Sequence, residues 1–187
     1  MYKKEIRVLG IDDAPFDKFK KGDVLVVGTM FRGGQWIDGI LSTKITVDGT
    51  NSTSKLVKMI NKSKFKPQLQ CIILDGIAFG GFNIVDIQEL NKKTKIPVLV
   101  VIRRMPDFKK IEATLKKLKK ASRYKLIEKA GKVHKVGKIY IQIAGLTLEH
   151  AKQILKVTCT HSLLPEPIRV AHLIASGIVT GESKGSA

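Results

Sequence analysis

Three aspartates stand at the ends of apolar runs in a chain that has only 16 acidic residues against 34 lysines and arginines. Asp12 follows one run in Gly10-Ile11-Asp12-Asp13, Asp48 another in Thr46-Val47-Asp48-Gly49, and Asp75 a third in Ile73-Leu74-Asp75-Gly76. A charge at such a place is costly without a partner. Three carboxylates brought to one edge would repel one another unless a divalent cation neutralised them, and hard oxygen donors with open water positions suit Mg2+ or Mn2+. A site of that kind generates hydroxide and stabilises charge on a phosphate, which is the chemistry of phosphodiester hydrolysis. Asp13 is either a further ligand or the solvent-facing neighbour of Asp12. Each Asp-Gly pair also reads as an ordinary turn at a strand end. Among the histidines at 134, 150, 161 and 172, only His172 lies in a stretch with chemical promise, Pro165-Glu166-Pro167-Ile168-Arg169-Val170-Ala171-His172. There an imidazole could act on a leaving group or an attacking water, or serve a structural role.

These acids need strands to present them. Ile6 to Ile11, Asp23 to Phe31 and the strictly alternating Leu41-Ser42-Thr43-Lys44-Ile45-Thr46-Val47 read as three consecutive antiparallel strands. A helix follows from the N-cap candidates at 51–54 to near Pro67. Residues 70–74 and 96–102 are continuous apolar runs, as in parallel strands covered on both faces, with a helix expected around 84–91 between them. Residues 107–120 form an amphipathic helix with a cationic face. A strand at 138–143 and helices at 147–157 and 167–176 complete the chain, and residues 181–187 are expected to be a flexible tail. Three antiparallel strands followed by parallel strands and flanking helices make an α/β, ribonuclease H-like mixed sheet. In that sheet Asp12 and Asp75 would come from neighbouring strands, with Asp48 reaching in from the third.

The net charge of +18 points to a polyanionic partner, nucleic acid first. With 43 % hydrophobic and 27 % charged residues, wholesale disorder and a fibrous repeat are excluded, and 187 residues suit one domain, 1–180, ahead of the tail. The longest apolar run, Ile96 to Ile102, is far short of the roughly twenty residues of a membrane span. The N-terminus lacks a signal-peptide pattern, so a cytoplasmic protein is expected. Cys71 and Cys159 lack metal-site spacing and read as reduced core residues.

The run Leu164-Pro165-Glu166-Pro167-Ile168-Arg169-Val170-Ala171-His172, with Ala144-Gly145-Leu146-Thr147 before it, resembles the C-terminal part of endonuclease V. Gly10-Ile11-Asp12 is similar to the family's first-strand Gly-Val-Asp, Val47-Asp48-Gly49 to its Arg-Glu-Gly, and Leu74-Asp75-Gly76 to its Phe-Asp-Gly. The strand from Ile96-Pro97 to Arg103 lies where the family places a functional lysine. The family's Pro-Tyr-Ile-Pro wedge has no counterpart at Asp38-Gly39-Ile40-Leu41, and the histidine after its Asp-Gly is missing. These departures, with Asp at 48, resemble the compact archaeal relatives called endonuclease dU.

The resemblance implies a Mg2+- or Mn2+-dependent endonuclease acting on DNA with a deaminated base, uracil before hypoxanthine. Asp12, Asp48 and Asp75 would be metal ligands, and His172 would assist proton transfer or phosphate positioning. Arg103, Arg104, Arg169 and the lysines of residues 109–120, among them Lys109, Lys110, Lys116 and Lys117, would contact backbone phosphates. Phe79, Phe82 and Asn83 are candidates to line a pocket for an unstacked base, unless both aromatics are core. The alternatives are a non-catalytic nucleic-acid-binding protein and an inosine-directed ribonuclease.

Overall fold

The computed structural model describes residues 5–183. β1 (Arg7–Asp13), β2 (Asp23–Arg32) and β3 (Trp36–Thr46) form an antiparallel meander, followed by α1 (Ser52–Asn61) and β4 (Cys71–Asp75). Two short strands, β5 (Ala78–Phe79) and β6 (Asn83–Ile84), pair with each other before α2 (Ile87–Thr94) and β7 (Val98–Ile102). Then come α3 (Phe108–Lys117), α4 (Tyr124–Lys129), β8 (His134–Val136), β9 (Ile139–Ala144), α5 (Leu148–Thr158) and α6 (Glu166–Thr180). The main sheet has the order β3-β2-β1-β4-β7-β9-β8. β4 is parallel to both β1 and β7, whereas β9 runs antiparallel to β7 and to β8. The expected α/β, ribonuclease H-like mixed sheet flanked by helices is the architecture observed.

Strand periodicity divides the core. Leu9, Ile11, Ile72, Leu74, Val98 and Val100 face one side, where Leu56 and Ile60 of α1 and Leu90 of α2 cover them. Val8, Ile73, Leu99, Val101 and Ile141 face the other, under Ile154 of α5 and Ile168 of α6. α6 also packs Ala171 and Ala175 on Val27 of β2. Every strand between β2 and β9 is therefore sandwiched, and the acidic residues of β1 and β4 fall at their C-terminal ends.

Some boundaries differ from the sequence reading. α2 begins at Ile87 because Asp86 caps it, its side chain accepting from Glu89 N at 3.0 Å, and this leaves Ile84 to pair in β6. α1 stops at Asn61 rather than near Pro67, which opens a separate 3-10 turn at Lys66–Gln68. α6 runs on to Thr180 and closes at Gly181 in the left-handed region, φ 81. Of the expected tail, residues 184–187 lie outside the described residues. Among the described residues no helix is long and apolar enough to cross a membrane. Both cysteines are free, Cys71 buried and Cys159 only partly so.

Candidate active site

Two strand ends and one helix build the site. β1 and β4 run parallel with Ile11 beside Leu74, so the next residues, Asp12 and Asp75, come side by side on the face covered by α6. α6 lies tight against β1 because residue 10 has no side chain: a Cβ there would stand 2.3 Å from the Pro167 carbonyl carbon. Thr29 Oγ1 donates to Pro167 O at 2.6 Å and pins the helix start. From that anchor His172 reaches the end of β1, where a 2.9 Å hydrogen bond joins its Nδ1 to Asp12 Oδ2. Arg103, just past β7, donates from Nη2 to Asp75 Oδ2 at 3.2 Å.

Asp12 is poorly compensated. Burial, then Asp75 and Asp13 beside it, push its carboxyl from 3.8 up to about 8, against the pull of the Asp13 backbone N–H and Arg103. Among the described residues no three His, Cys, Asp or Glu side chains form a ready-made metal cluster. The site offers instead two adjacent carboxylates, one of them crowded enough to hold a proton near neutral pH. That pair fits a hard divalent cation which keeps several waters and binds through one or two carboxylates plus substrate phosphate.

Asp13 and Asp48 belong to the other face. Asp13 Oδ2 accepts from Gly80 N at 2.9 Å, Gly80 O accepts from Asp48 N at 2.7 Å, and Asp48 Oδ1 accepts from Phe82 N at 2.8 Å. The glycine loop between β5 and β6 is thus tied from both sides. At Gly81 (φ +88) a Cβ would come within 2.6 Å of Asp48 Oδ1, so only glycine fits. Burial raises Asp13 to about 6. Burial also acts on Asp48, but Lys120, the Phe82 N–H and Arg123 together outweigh it and leave its carboxyl below the ordinary value. Lys120 Nζ lies 2.5 Å from Asp48 Oδ2, and Arg123 donates to the carbonyls of Asp48 and Phe82, each at 2.6 Å.

The expectation that Asp48 joins Asp12 and Asp75 is therefore corrected. Asp13 pairs with Val26 and Val26 with Thr43, so Asp48 lies 48 − 43 = 5 residues beyond the level of Asp13. It sits in the left-handed region (φ 52), as its turn reading allowed, and bends onto the glycine loop. Lys120 was read as part of a helical cationic face. Lys119, also left-handed at φ 56, breaks that helix and turns Lys120 back onto Asp48.

Beside Asp75, on the face opposite His172, a cavity of about 180 Å³ opens between Gly76, Ile77, Phe82, Ile102, Phe108 and Gln142. Of the residues expected to line a base pocket, Phe82 does. Phe79 is fully buried in the core, and Asn83 is equally buried, accepting from Ser52 N at 3.0 Å and donating to Thr46 O at 2.9 Å. Asn83 thereby holds the start of α1 against the end of β3. The basic residues divide likewise. Arg104, Lys109, Lys110 and Lys117 are exposed, and Lys116 is exposed but paired with Glu112 at 2.7 Å. Arg169 donates from Nε and Nη2 to the buried Glu166 Oε2, at 2.8 and 2.6 Å. Sequence reasoning missed Gly10, Arg123 and Gln142. Only Gly10, a glycine inside a strand, carried a signal, that of close backbone approach.

A family model described as Endonuclease dU matches residues 4–179. A UPF0215 protein of Methanothermobacter thermautotrophicus is 50 % identical over 190 residues, which is 99 % of this chain and 93 % of the relative. A crystal structure of a protein from Archaeoglobus fulgidus superposes with a TM-score of 0.87 at 45 % identity, covering 94 % of this chain and 99 % of that one. Endonuclease V of Ciona intestinalis, solved with a 24mer DNA containing an inosine followed by a ribo-adenosine, has a TM-score of 0.57 at 17 % identity over 90 % of this chain and 83 % of its own.

Proposed function

The chain belongs to the endonuclease dU family, and we propose that it is a divalent-metal-dependent endonuclease hydrolysing a phosphodiester in DNA that carries a deaminated base, uracil before hypoxanthine. The observation that carries this reading is the pair Asp12 and Asp75, adjacent at the sheet edge and flanked by His172 and Arg103. A pure nucleic-acid binder gains nothing from two carboxylates turned toward a phosphate backbone that would repel them.

Asp12 and Asp75 would hold the cation. When bound, magnesium or manganese supplies a more acidic water and neutralises charge on the phosphate. His172 is oriented by Asp12 through Nδ1, which leaves Nε2 as the nitrogen that takes or gives a proton at the reacting oxygen. Arg103 holds Asp75 through Nη2 and brings a guanidinium charge to the strand ends where a phosphate oxygen would lie. Arg104 and the exposed lysines of α3 give affinity along the backbone that falls steeply with salt. The cavity beside Asp75 receives the extruded base, whose unstacking costs a few kcal/mol and less at a mismatch.

The test is incubation of purified protein, with Mg2+ or Mn2+ and with chelator, on matched strands carrying uracil, hypoxanthine or an unmodified base, and on RNA carrying inosine. Metal-dependent cutting confined to the uracil strand is expected. Cutting only the RNA makes the protein an inosine-directed ribonuclease, and binding without cutting makes it a non-catalytic binder.

A further inference from the structure

The cavity beside Asp75 is walled mainly by apolar groups, among them Ile77, Phe82, Ile102 and Phe108, and it holds one carboxamide. Gln142 extends from β9 on the same sheet face as Ile102 and is only 2 % exposed. Its Nε2 donates to Gly131 O at 2.8 Å. That bond fixes which way the amide points. Turning it over would set Oε1 against the Gly131 carbonyl, two acceptors face to face, with the loss of a buried hydrogen bond. Among the described residues nothing donates to Oε1. An acceptor that cannot exchange places with a donor, at the wall of an apolar cavity, selects for an occupant bringing a donor.

Resting on the reading of the cavity as a base pocket, we propose that Gln142 reads the base, its Oε1 accepting the ring N–H that deamination creates. Uracil carries that hydrogen at N3 and hypoxanthine at N1. Their parents, cytosine and adenine, have a lone pair at the same ring positions and would meet Oε1 acceptor to acceptor. The carboxamide therefore separates deaminated bases from their parents by the sign of one hydrogen-bonding site. Thymine also has an N3–H, so Gln142 does not reject it. In duplex DNA thymine is excluded because it is paired with adenine, whereas uracil from cytosine sits in a mismatch that opens more cheaply.

Single-stranded substrates remove the pairing cost and isolate the pocket. Wild-type protein should cut a uracil strand faster than a cytosine strand and, relative to uracil, should be slowed about tenfold to a hundredfold by 3-methyluracil, which lacks the donor. Gln142→Met, similar in size but with only a weakly accepting thioether in place of the amide, should lose the preference for uracil over cytosine. Its uracil-to-thymine ratio and its affinity for unmodified DNA should be unchanged. A Gln142→Met protein that keeps the wild-type uracil preference overturns the assignment. So does native protein that cuts 3-methyluracil as fast as uracil, a result that does not depend on how the variant folds. Wild-type protein that neither binds nor cuts any strand overturns the functional reading, and this assignment with it.

Discussion

Asp12 and Asp48 are the same residue type at the ends of two strands of one sheet, yet their surroundings treat them oppositely. Asp12 is buried beside two carboxylates, Asp75 and Asp13, and burial with that repulsion outweighs Arg103 and pushes its carboxyl up to about 8. Around Asp48 the neighbours are cations, Lys120 and Arg123, and its carboxyl stays below the usual range. The first region stores unfavourable electrostatics that a divalent cation would relieve. The second has already neutralised its charge and uses it to hold the Gly80–Phe82 loop, one wall of the cavity. Uncompensated charge collects at the proposed metal site, and compensated charge where the loop's shape is held.

Replacing Asp75 by Asn tests the contrast most severely. Cleavage should fall by about a thousandfold or more, because several kcal/mol of metal-borne charge stabilisation go with the ligand. DNA affinity, read by fluorescence anisotropy, should be kept or strengthened; loss of binding together with cleavage would count against the site. Asp48→Asn should leave cleavage within about tenfold of wild type, the worth of a single weakened hydrogen-bonding contact. Equal losses in the two variants would erase the distinction between the regions.

His172→Ala sharpens the first region. General acid–base assistance is worth about a hundredfold or more, so single-turnover rates should fall by that factor, with metal affinity little changed. Asp48→Ala probes the second region through stability, since it removes the ion pair to Lys120 and the bond from Phe82 N. Urea denaturation should show a loss of about 1.5–3 kcal/mol, the range for hydrogen bonds to charged groups.

The pH response of the metal-free protein probes the first region without any substitution. Asp12 and Asp13 bind protons more tightly folded, at about 8 and about 6, than at the unfolded value of 3.8. Their contribution to stability is thus complete below the unfolded value and is lost as pH rises through about 6 and then about 8. In chelator, the melting temperature should fall between these limits, Asp12→Asn should flatten the decline, and Mg2+ should raise melting more at the alkaline end. A chelated protein whose melting rises over the same interval would mean that Asp12 is not the strained member of the pair.

Most of the sheet was legible in the chain. The alternation at 41–47 and the unbroken apolar runs at 70–74 and 96–102 distinguish half-buried from sandwiched strands, because side-chain period follows directly from which faces are covered. The pairing of Asp12 with Asp75 followed from the same reading, since both end strands that must be neighbours. Sequence also marked His172, but not why it arrives: that needed Gly10 to admit α6 against β1.

The sequence by itself determined the fold class, the basic character and the acids at the strand ends, for these depend on local periodicity and composition. Only the tertiary structure decided which acids meet. Asp48 reads like Asp12 along the chain, but strand register carries it five residues past the level of Asp13, and two left-handed residues, at 48 and 119, bring Lys120 onto it from a distant segment. Gln142 is the same case: an unremarked polar residue in an alternating strand, whose meaning rests on the Gly131 carbonyl beside it and the cavity in front. Register and the close approach of distant groups are sums over the whole fold, and no local pattern encodes them.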